Sequence, residues 1–585
     1  MTPTPTGPDP TQRLIAIDVD MLDTDSSSAW NRLADRIAAM RRDTILVYVG
    51  KADVPGLPTP DYVIDRDAPS ITRFPGAVRV EEWPSPSDRA GLDDALEHIA
   101  EGLLIPWSHV YCILGSTTTI REHLDRAVVL DAGFVTDDAR RATVDESRLI
   151  AAFDELQLHG GATTATRDIC ETAFRAARDT LARNTTELGF TAASAKDNLL
   201  NSHDANYAAV WARDGVIAGL WTLCLDNTDL IDTFRRTIRV LARHQTPAGQ
   251  IPGNVRLADE RPDYSGIGGI ASIDSVIWFV IGAVRLAFHT GDRAFAEEIA
   301  VPVERAMAWL AAHDANNDGL IEIPESSDWM DIFPRSYNVL YDEVLWGQAC
   351  RDTAVLLDGL GRHGSDWAAR ADRVRGIILD QFWPSGEQLM EIAGAQSGKF
   401  SPGEAYYLLS QITPFDYGWR CDVYANLLAA LGGLLDERKL DRLFTFLWGV
   451  GANSPFPVTC LYPPIASGAD DWKDYFLVNF LNITHHYHNG GIWPFIGGLW
   501  IRFLAATGRV ELAHRELASL AEACRIGLRG DWEFNEWLHG QTGRPMGKAH
   551  QAWSAASYVH AYATLHLDAD PGAFPDLDPT AISGK

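Results

Sequence analysis

Cysteine is scarce in this chain, and no two cysteines stand close enough to form a motif. Seven occur in 585 residues, without a Cys-x-x-Cys pair and mostly beside apolar neighbours. A disulfide framework and a zinc ribbon both need paired spacing, so the pattern argues against either. We expect reduced cysteines within an apolar core.

Positive charge is also in short supply. The sequence has 50 Lys and Arg residues against 79 Asp and Glu residues, which gives a net charge of −29. Such a field repels phosphate backbones and anionic lipid. Nucleic acid and membrane surfaces are therefore disfavoured as partners, whereas a small neutral carbohydrate is not penalised.

Long apolar runs are missing as well. The longest strongly apolar window, 277–288, is interrupted by Arg285 and is too short to span a bilayer. The first residues are polar and rich in proline, unlike a signal peptide. We expect a cytoplasmic protein without a membrane segment.

The first part of the chain alternates between two patterns. Short runs rich in Ile and Val at 13–20, 44–50 and 109–115 are separated by helical periods at 29–42 and 88–104. Strands that alternate with helices are typical of an α/β layer with a parallel sheet. The sequence predicts such a domain over residues 1–150.

A mainly α region follows, in which amphipathic stretches succeed one another with few strand signals. A dozen helices without a short solenoid repeat indicate a helical toroid over 160–567. The Pro- and Asp-rich end, 568–585, is predicted to be a loose tail. The helical stretches are 167–188, 208–224, 229–244, 274–290, 294–312, 339–360, 366–382, 420–434, 437–449, 491–507, 510–527 and 550–567.

The stretch 324–331 carries three carboxylates, on Glu325, Asp328 and Asp331, together with Trp329. A sugar site needs this combination, because acids move protons and bond hydroxyls while an indole covers the C–H face of the ring. A capped helix start after a turn has the same composition. Taken alone, the stretch fits both interpretations equally.

Four further segments pair an aromatic residue with a polar or acidic one near a helix start. Each alone is usually a helix cap. Loops at one end of a toroid converge, however, so the set together predicts one sugar-binding pocket. The candidates are Tyr207, Trp211, Arg213 and Asp214; Asp274 and Trp278; His488, Asn489 and Trp493; and Glu536 and Trp537.

Five ordered segments make a family resemblance specific. Together they resemble the motifs of the neutral/alkaline invertases and of the related bacterial amylo-α-1,6-glucosidase-like proteins, over about residues 170–567. The resemblance implies an (α/α)6-barrel glycoside hydrolase. The segments are 211–216 (WARDGV), 273–278 (IDSVIW), 420–428 (RCDVYANLL), 488–494 (HNGGIWP) and 534–548.

The same resemblance implies an inverting mechanism that uses two carboxyl groups. Asp331 falls at the position of the family's general acid and Glu536 at that of its general base, with Asp328 as the second choice for the acid. Inversion requires the two groups to lie roughly 6.5–9.5 Å apart. Asp214 and Asp274 would grip sugar hydroxyls, and Arg213 would orient them.

The substrate stays open, because the chain departs from the plant-type pattern just after Asp331. Residues 332–336 read Ile-Phe-Pro-Arg-Ser, where plant-type invertases have an Arg-Arg-Met-Gly run. The form of 324–331 is closer to the bacterial branch. Sucrose, a short α-glucan and a glucosylated small solute are the candidates.

A calcium loop is one interpretation of the segment before the acidic stretch. Its spacing fits an EF-hand loop, in which oxygen ligands recur at alternate positions and end in a glutamate. An Asn/Asp/Gly turn between helices fits as well and is favoured, so no cofactor is required. The calcium ligands would be Asp314, Asn316, Asp318 and Glu325.

The N-terminal domain holds Asp18-Val-Asp20, which resembles the start of a haloacid-dehalogenase-type phosphatase. Met21 and Leu22 stand where Gly-Thr is usual, and no downstream acidic metal motif follows. The resemblance therefore implies a degenerate, non-catalytic relative. Two alternatives remain: a non-catalytic sugar-binding or regulatory protein, and a glycosidase joined to an active sugar-phosphate phosphatase. Nothing in the sequence fixes the oligomeric state.

Overall fold

The computed structural model describes nine strands between residues 13 and 144, and residues 164–198, 207–266, 269–385 and 405–582. The chain divides into two compact units. One comprises Met1–Gly161 with Gly449–Gly451, and the other Ala162–Trp448 with Ala452–Lys585.

The first unit contains a seven-stranded sheet with the order β5-β4-β3-β2-β1-β6-β7. The central strand β1 pairs in parallel with β2 and β6, and β3 and β7 continue this parallel arrangement. The predicted parallel pairing is therefore present across β3, β2, β1, β6 and β7, whereas β4 and β5 pair in antiparallel fashion at one edge. The predicted helices lie outside the described residues. The strands are β1 Arg13–Asp18, β2 Thr44–Val49, β3 Tyr62–Asp65, β4 Ser70–Arg73, β5 Val78–Glu82, β6 Val110–Leu114 and β7 Val128–Asp131, followed by the hairpin β8 Phe134–Thr136 and β9 Ala142–Val144.

Twelve α-helices occupy the described part of the second unit, and they alternate between an outer and an inner position. The outer helices are α1 Thr164–Arg183, α3 Thr228–Arg243, α5 Arg293–Ala311, α7 Ser365–Ile377, α9 Glu437–Gly449 and α11 Val510–Arg525. The inner helices are α2 Ala212–Thr222, α4 Ile273–Thr290, α6 Leu340–Gly359, α8 Val423–Leu431, α10 Pro494–Ala506 and α12 Ala552–His566.

The inner helices form a closed ring. Each packs against the next in chain order, and α12 packs against α2 to complete the circle. Outer helices lie against this ring, for example α3 against α2 and α4. The arrangement is the predicted (α/α)6 barrel.

Burial explains why the two sets of helices differ in composition. Every residue of α8 is buried, as are the first sixteen residues of α4, because inner helices contact protein on all sides. Among the described helices, α4 is the one that is long and apolar enough to cross a membrane. Its place in the ring accounts for that apolarity.

The inner helices all begin at one end of the barrel, because each outer helix returns the chain before the next inner helix starts. The residue before each inner helix has an extended backbone. Small sheets lead into several of them, so the residues around these starts are held by strands. Their strands are β10 Ala209–Trp211, β11 Asn254–Arg256, β12 Pro262–Asp263, β13 Asn338–Val339, β14 Gln411–Ile412, β15 Tyr417–Gly418, β16 Cys421–Asp422, β17 Leu461–Tyr462, β18 Trp537–Leu538 and β19 Pro545–Met546.

The prediction of a loose C-terminal tail is wrong for residues 568–582. Arg285 of α4 donates to the carbonyl of Pro575 at 2.9 Å, and Arg502 of α10 donates to that of Pro571 at 3.0 Å. Phe574, which lies between these two prolines, is buried. Guanidinium groups of two inner helices thus bind the backbone of a segment whose composition is typical of a loop.

The six cysteines within the described ranges from residue 164 onward are all free, and five of them are buried. Burial raises the pKa of their thiols, as at Cys224 and Cys460, where it reaches about 12. Five of the six are therefore neutral core residues, in agreement with the expectation from their spacing, and Cys224 is half-buried.

Candidate active site

The loop that precedes α6 holds Asp328 and Asp331 in different ways. Asp328 is fully buried; its Oδ1 accepts from the Met330 N–H at 2.8 Å, and its Oδ2 forms an ion pair with Arg335 Nε at 2.6 Å. Asp331 is 7% exposed, and its Oδ2 accepts from the Tyr487 hydroxyl at 3.2 Å. Asp331 therefore presents the freer carboxyl group, while Asp328 braces the loop.

Glu536 lies directly before β18 and is held at both carboxylate oxygens. Oε1 accepts from the Tyr207 hydroxyl at 2.8 Å, and Oε2 accepts from the Lys548 backbone N–H at 3.1 Å. Gly547 has a φ of +71°, and a Cβ there would lie 2.6 Å from Oε2. A glycine at 547 is thus what allows the strand turn to approach this carboxylate.

Three carboxyl groups of this region influence one another. Burial raises the pKa of Asp331 to about 6, that of Asp214 to about 6 and that of Glu536 to about 7. The charges of Asp214 and Asp331 further raise the pKa of Glu536, whereas the Arg213 guanidinium lowers that of Asp331. Near neutral pH the cluster therefore holds protons that an isolated carboxylate would have lost.

Asp274 does not have the predicted role of gripping sugar hydroxyls. It is 0% exposed, and its oxygens accept from Arg213 Nε at 2.6 Å and Nη2 at 3.2 Å. The hydroxyls of Ser272 and Tyr341 donate to it as well, at 2.9 and 3.1 Å. Asp274 instead fixes Arg213, which also donates to the Asp328 carbonyl at 3.2 Å.

Trp329 does not form the predicted aromatic wall for a sugar. It is 1% exposed and packs edge-on against Tyr424, His488 and Trp493, with ring centroids 5.2, 4.8 and 5.5 Å away. The loop turns its indole into the barrel core, because burial of a large apolar ring outweighs contact with solvent.

Several other predicted sugar contacts also belong to the packing of the barrel. Trp278 donates to the Tyr341 hydroxyl at 2.7 Å, and Asn489 bonds the backbone N–H and carbonyl of Ile465. Tyr207 and Trp211 are half-buried, whereas Asp214 and Arg213 are 7% and 8% exposed. The fully buried candidates are Trp278, His488, Asn489 and Trp493, and Trp537 is nearly so.

The sequence reasoning assigned no role to several residues that the structure brings to the site. Tyr487 contacts Asp331, and Arg335 pairs with both Asp328 and Asp422. Tyr487 stands directly before the HNGG motif, so its neighbourhood was a usable signal. No local sequence pattern predicts the ion pair between Arg335 and Asp422, since 87 positions separate the two residues.

The possible calcium loop forms turns within itself. Asp318 Oδ1 accepts from the Leu320 N–H at 2.8 Å, and Asn316 Oδ1 accepts from the Asp318 N–H at 2.8 Å. Glu325 instead accepts from the Tyr475 hydroxyl at 2.7 Å. Within the described ranges, no group of three His, Cys, Asp or Glu side chains is arranged to hold a metal ion. Calcium binding by Asp314 and its neighbours stays a prediction, and this arrangement does not favour it.

Comparisons with known proteins find similarity to plant invertases. Residues 390–568, which include Glu536, match the family of alkaline and neutral invertases. The probable alkaline/neutral invertase D of Arabidopsis thaliana is 24% identical over 413 residues, 61% of this chain and 75% of the relative. Cytosolic invertase 1 of Oryza sativa subsp. japonica is 23% identical over 413 residues, 61% of this chain and 71% of the relative.

Solved structures with a similar arrangement include a mannosylglycerate hydrolase from Thermus thermophilus. It aligns with a TM-score of 0.47 and 16% identity, over 66% of this chain and 99% of the other. The chain is therefore similar in sequence to the alkaline and neutral invertases, and these matches support a glycoside hydrolase.

Proposed function

We propose that the protein hydrolyses a small α-linked sugar with inversion, with Asp331 as the general acid and Glu536 as the general base. The observation that carries the proposal is the matched pair of buried carboxyl groups. Each has a tyrosine hydroxyl as a partner, and each has a raised pKa. Two carboxyl groups are what glycoside hydrolysis requires.

Asp331 would protonate the leaving glycosidic oxygen. It is less enclosed than Asp328, with 7% against 1% exposed, and burial raises its pKa, which keeps a proton on it at a higher pH than usual. Once the proton has left, the Tyr487 hydroxyl donates to the carboxylate, and the nearby Arg213 favours its negative charge. The C–O bond breaks as the oxygen takes the proton.

Glu536 would take a proton from the water that attacks the anomeric carbon from the opposite face. The Tyr207 hydroxyl and the Lys548 N–H both donate to it, so they hold the carboxylate in one orientation. The hydroxide equivalent adds to the carbon as the leaving oxygen departs, which inverts the configuration.

Sucrose, a short α-glucan and a glucosylated small solute remain the substrate candidates, and a small neutral carbohydrate is the proposed partner in a cytoplasmic location. A hydrolysis screen of α-linked di- and oligosaccharides, followed by NMR of the first anomer released, tests the function. Release of a β-anomer from an α-glycoside supports it. Release of the α-anomer, or no turnover of any glycoside, contradicts it.

The pH dependence of kcat/KM is expected to be bell-shaped, with its maximum between about 6 and about 7. Activity needs a proton on Asp331 and none on Glu536, so it requires the singly protonated pair. Because the pKa values are about 6 for Asp331 and about 7 for Glu536, most of that state carries its proton on Glu536, and the active form is the minority arrangement between these two values. Below the lower value both groups are protonated, and above the higher value neither is. Initial rates with an uncharged substrate measure the profile; a rate that is still level well above the pKa of Glu536 would contradict it.

Gly547→Ala is expected to abolish most activity, because the new Cβ would lie 2.6 Å from Glu536 Oε2. Gly433→Ala is the matched control, since Gly433 has a similar φ of +70° and open space around it. Both variants carry the backbone cost of a side chain at positive φ, of order 1 kcal/mol. Only Gly547→Ala should lose kcat beyond what its measured stability explains.

We also propose that the N-terminal unit is a degenerate, non-catalytic relative of the haloacid dehalogenases. Support comes from Asp18, the last residue of the central parallel strand β1, which β2 and β6 flank. We expect no magnesium-dependent release of phosphate from sugar phosphates. Release that Asp18→Asn abolishes would instead show an active phosphatase.

A further inference from the structure

Asn482 connects the acid-bearing loop to the segment that contains the HNGG motif. It is fully buried, and its Nδ2 donates to the carbonyls of Asp331 at 3.1 Å and Ile332 at 3.0 Å. Its Oδ1 accepts from the His488 N–H at 3.1 Å, and its own carbonyl accepts from Asn489 Nδ2 at 3.0 Å. One side chain therefore ties the backbone of the candidate acid to residues about 150 positions further along the chain.

The turn that Asn482 holds is strained. Ile332 has a φ of +53°, in the left-handed region that β-branched residues avoid because Cβ crowds the backbone. Such a conformation persists only where its surroundings hold it in place. The carbonyl of Ile332 is one of the two that Asn482 binds.

The same segment also holds the carboxyl group of the acid. Tyr487 donates its hydroxyl to Asp331 Oδ2, while Asn482 holds the Asp331 main chain. Backbone and side chain of Asp331 are thus fixed from one side by residues 482–489.

We propose that Asn482 is a positioning residue that maintains the left-handed turn at Ile332 and so aims the Asp331 carboxyl at the leaving oxygen. The proposal rests on the role of Asp331 proposed above. A purely structural Asn482 would satisfy the same carbonyls without any specific effect on the chemical step. A positioning role predicts that loss of Asn482 lowers kcat more than an equally destabilising substitution elsewhere, whereas a purely structural role predicts equal effects on kcat.

Asn482→Ala tests the proposal against Asn184→Ala as the matched control. Asn184 is likewise fully buried, and its Nδ2 also donates to two backbone carbonyls, those of Thr180 at 2.8 Å and His550 at 2.9 Å. Both variants should lose stability. Only Asn482→Ala should lose kcat, by about 10²-fold for a displaced catalytic group, with KM little changed.

A second experiment relieves the strain of the turn at Ile332. In the Asn482→Ala background, Ile332→Gly should recover about tenfold in kcat, because glycine adopts positive φ without steric cost. Ile332→Ala in the same background removes most of the side chain but keeps Cβ, so it should recover much less.

Crystal structures of wild type and Asn482→Ala complete the test independently of activity. Departure of Ile332 from positive φ in the variant supports the proposal. An unchanged φ, equal kcat losses for Asn482→Ala and Asn184→Ala, or equal rescue by Gly and Ala would each overturn it. Absence of turnover in the wild type would refute the glycosidase proposal instead, while the crystallographic arm would still decide whether Asn482 holds the turn.

Discussion

Asp331→Asn is expected to lower kcat on an O-glycoside by about 10²- to 10⁴-fold, the usual contribution of general acid–base catalysis. The amide cannot supply the proton, yet it keeps the size of the carboxyl group and can still accept from the Tyr487 hydroxyl. The unfolding free energy should therefore change little. Steady-state kinetics on the substrate found by the screen, with thermal denaturation alongside, measure both quantities.

A comparison of substrates with different leaving groups distinguishes loss of the general acid from a general loss of activity. A glycosyl fluoride needs little protonation to depart, so Asp331→Asn should retain far more activity on the fluoride than on the O-glycoside. Glu536→Gln should be impaired on both substrates, because water must still be activated. If Asp331→Asn were equally slow on the two, Asp331 would not be the acid.

Two further comparisons complete the test. Asp328→Asn should mainly lower the unfolding free energy, since it weakens the ion pair with Arg335. In Asp331→Asn the acid no longer titrates, so the residual activity should lose its alkaline limb and keep only the acidic limb that protonation of Glu536 sets. A mechanism in which Asp328 is the acid predicts the opposite ranking of kcat between the two aspartate variants.

The helices were predictable from the sequence, and much of the site was not. Each of the twelve predicted stretches corresponds to an observed helix, because hydrophobic periodicity reports directly on which positions are buried. Inner helices of a closed ring are buried on almost every face, however. Periodicity therefore could not distinguish the side of α4 that faces the site from the side that faces the core, and Asp274 and Trp278 were both assigned to the sugar.

Loop residues show the same limit more sharply. Asp328, Trp329 and Asp331 are near neighbours in sequence, yet the loop sends the first to an ion pair, the second into the core and the third to the site. Side-chain direction in an irregular loop depends on tertiary partners such as Arg335 and Tyr487. Tyr487 lies 156 positions from Asp331 in sequence. Arg335 is close to Asp328, but no periodic rule predicts that the two residues form an ion pair.

Arg335→Met is expected to cost about 3–5 kcal/mol of unfolding free energy, the usual effect of removing one partner from a buried ion pair. Arg335 lies between Asp328, whose Oδ2 is 2.6 Å from its Nε, and Asp422, to which its Nη1 donates. Both carboxylates are buried, so the variant would leave two charges without their cation. Arg239→Met is the control, because the Arg239–Glu298 pair is exposed and such pairs contribute about 1 kcal/mol or less.

The pH dependence of that loss has a definite sign. Without the Arg335 guanidinium, which lowers the pKa of Asp328 in the wild type, the folded-state pKa of this carboxyl should rise further above its unfolded value. For a carboxyl group of that kind, the unfolding free energy of the protein falls as the pH rises through the folded-state pKa, because the folded state must then bury a charge. The deficit of Arg335→Met should therefore be smaller at mildly acidic pH than at mildly alkaline pH. Urea denaturation of wild type and Arg335→Met at the two pH values measures this deficit. An equal deficit at both pH values would mean that the ion pairs of Arg335 with Asp328 and Asp422 are not what connects the acid-bearing loop to the start of α8.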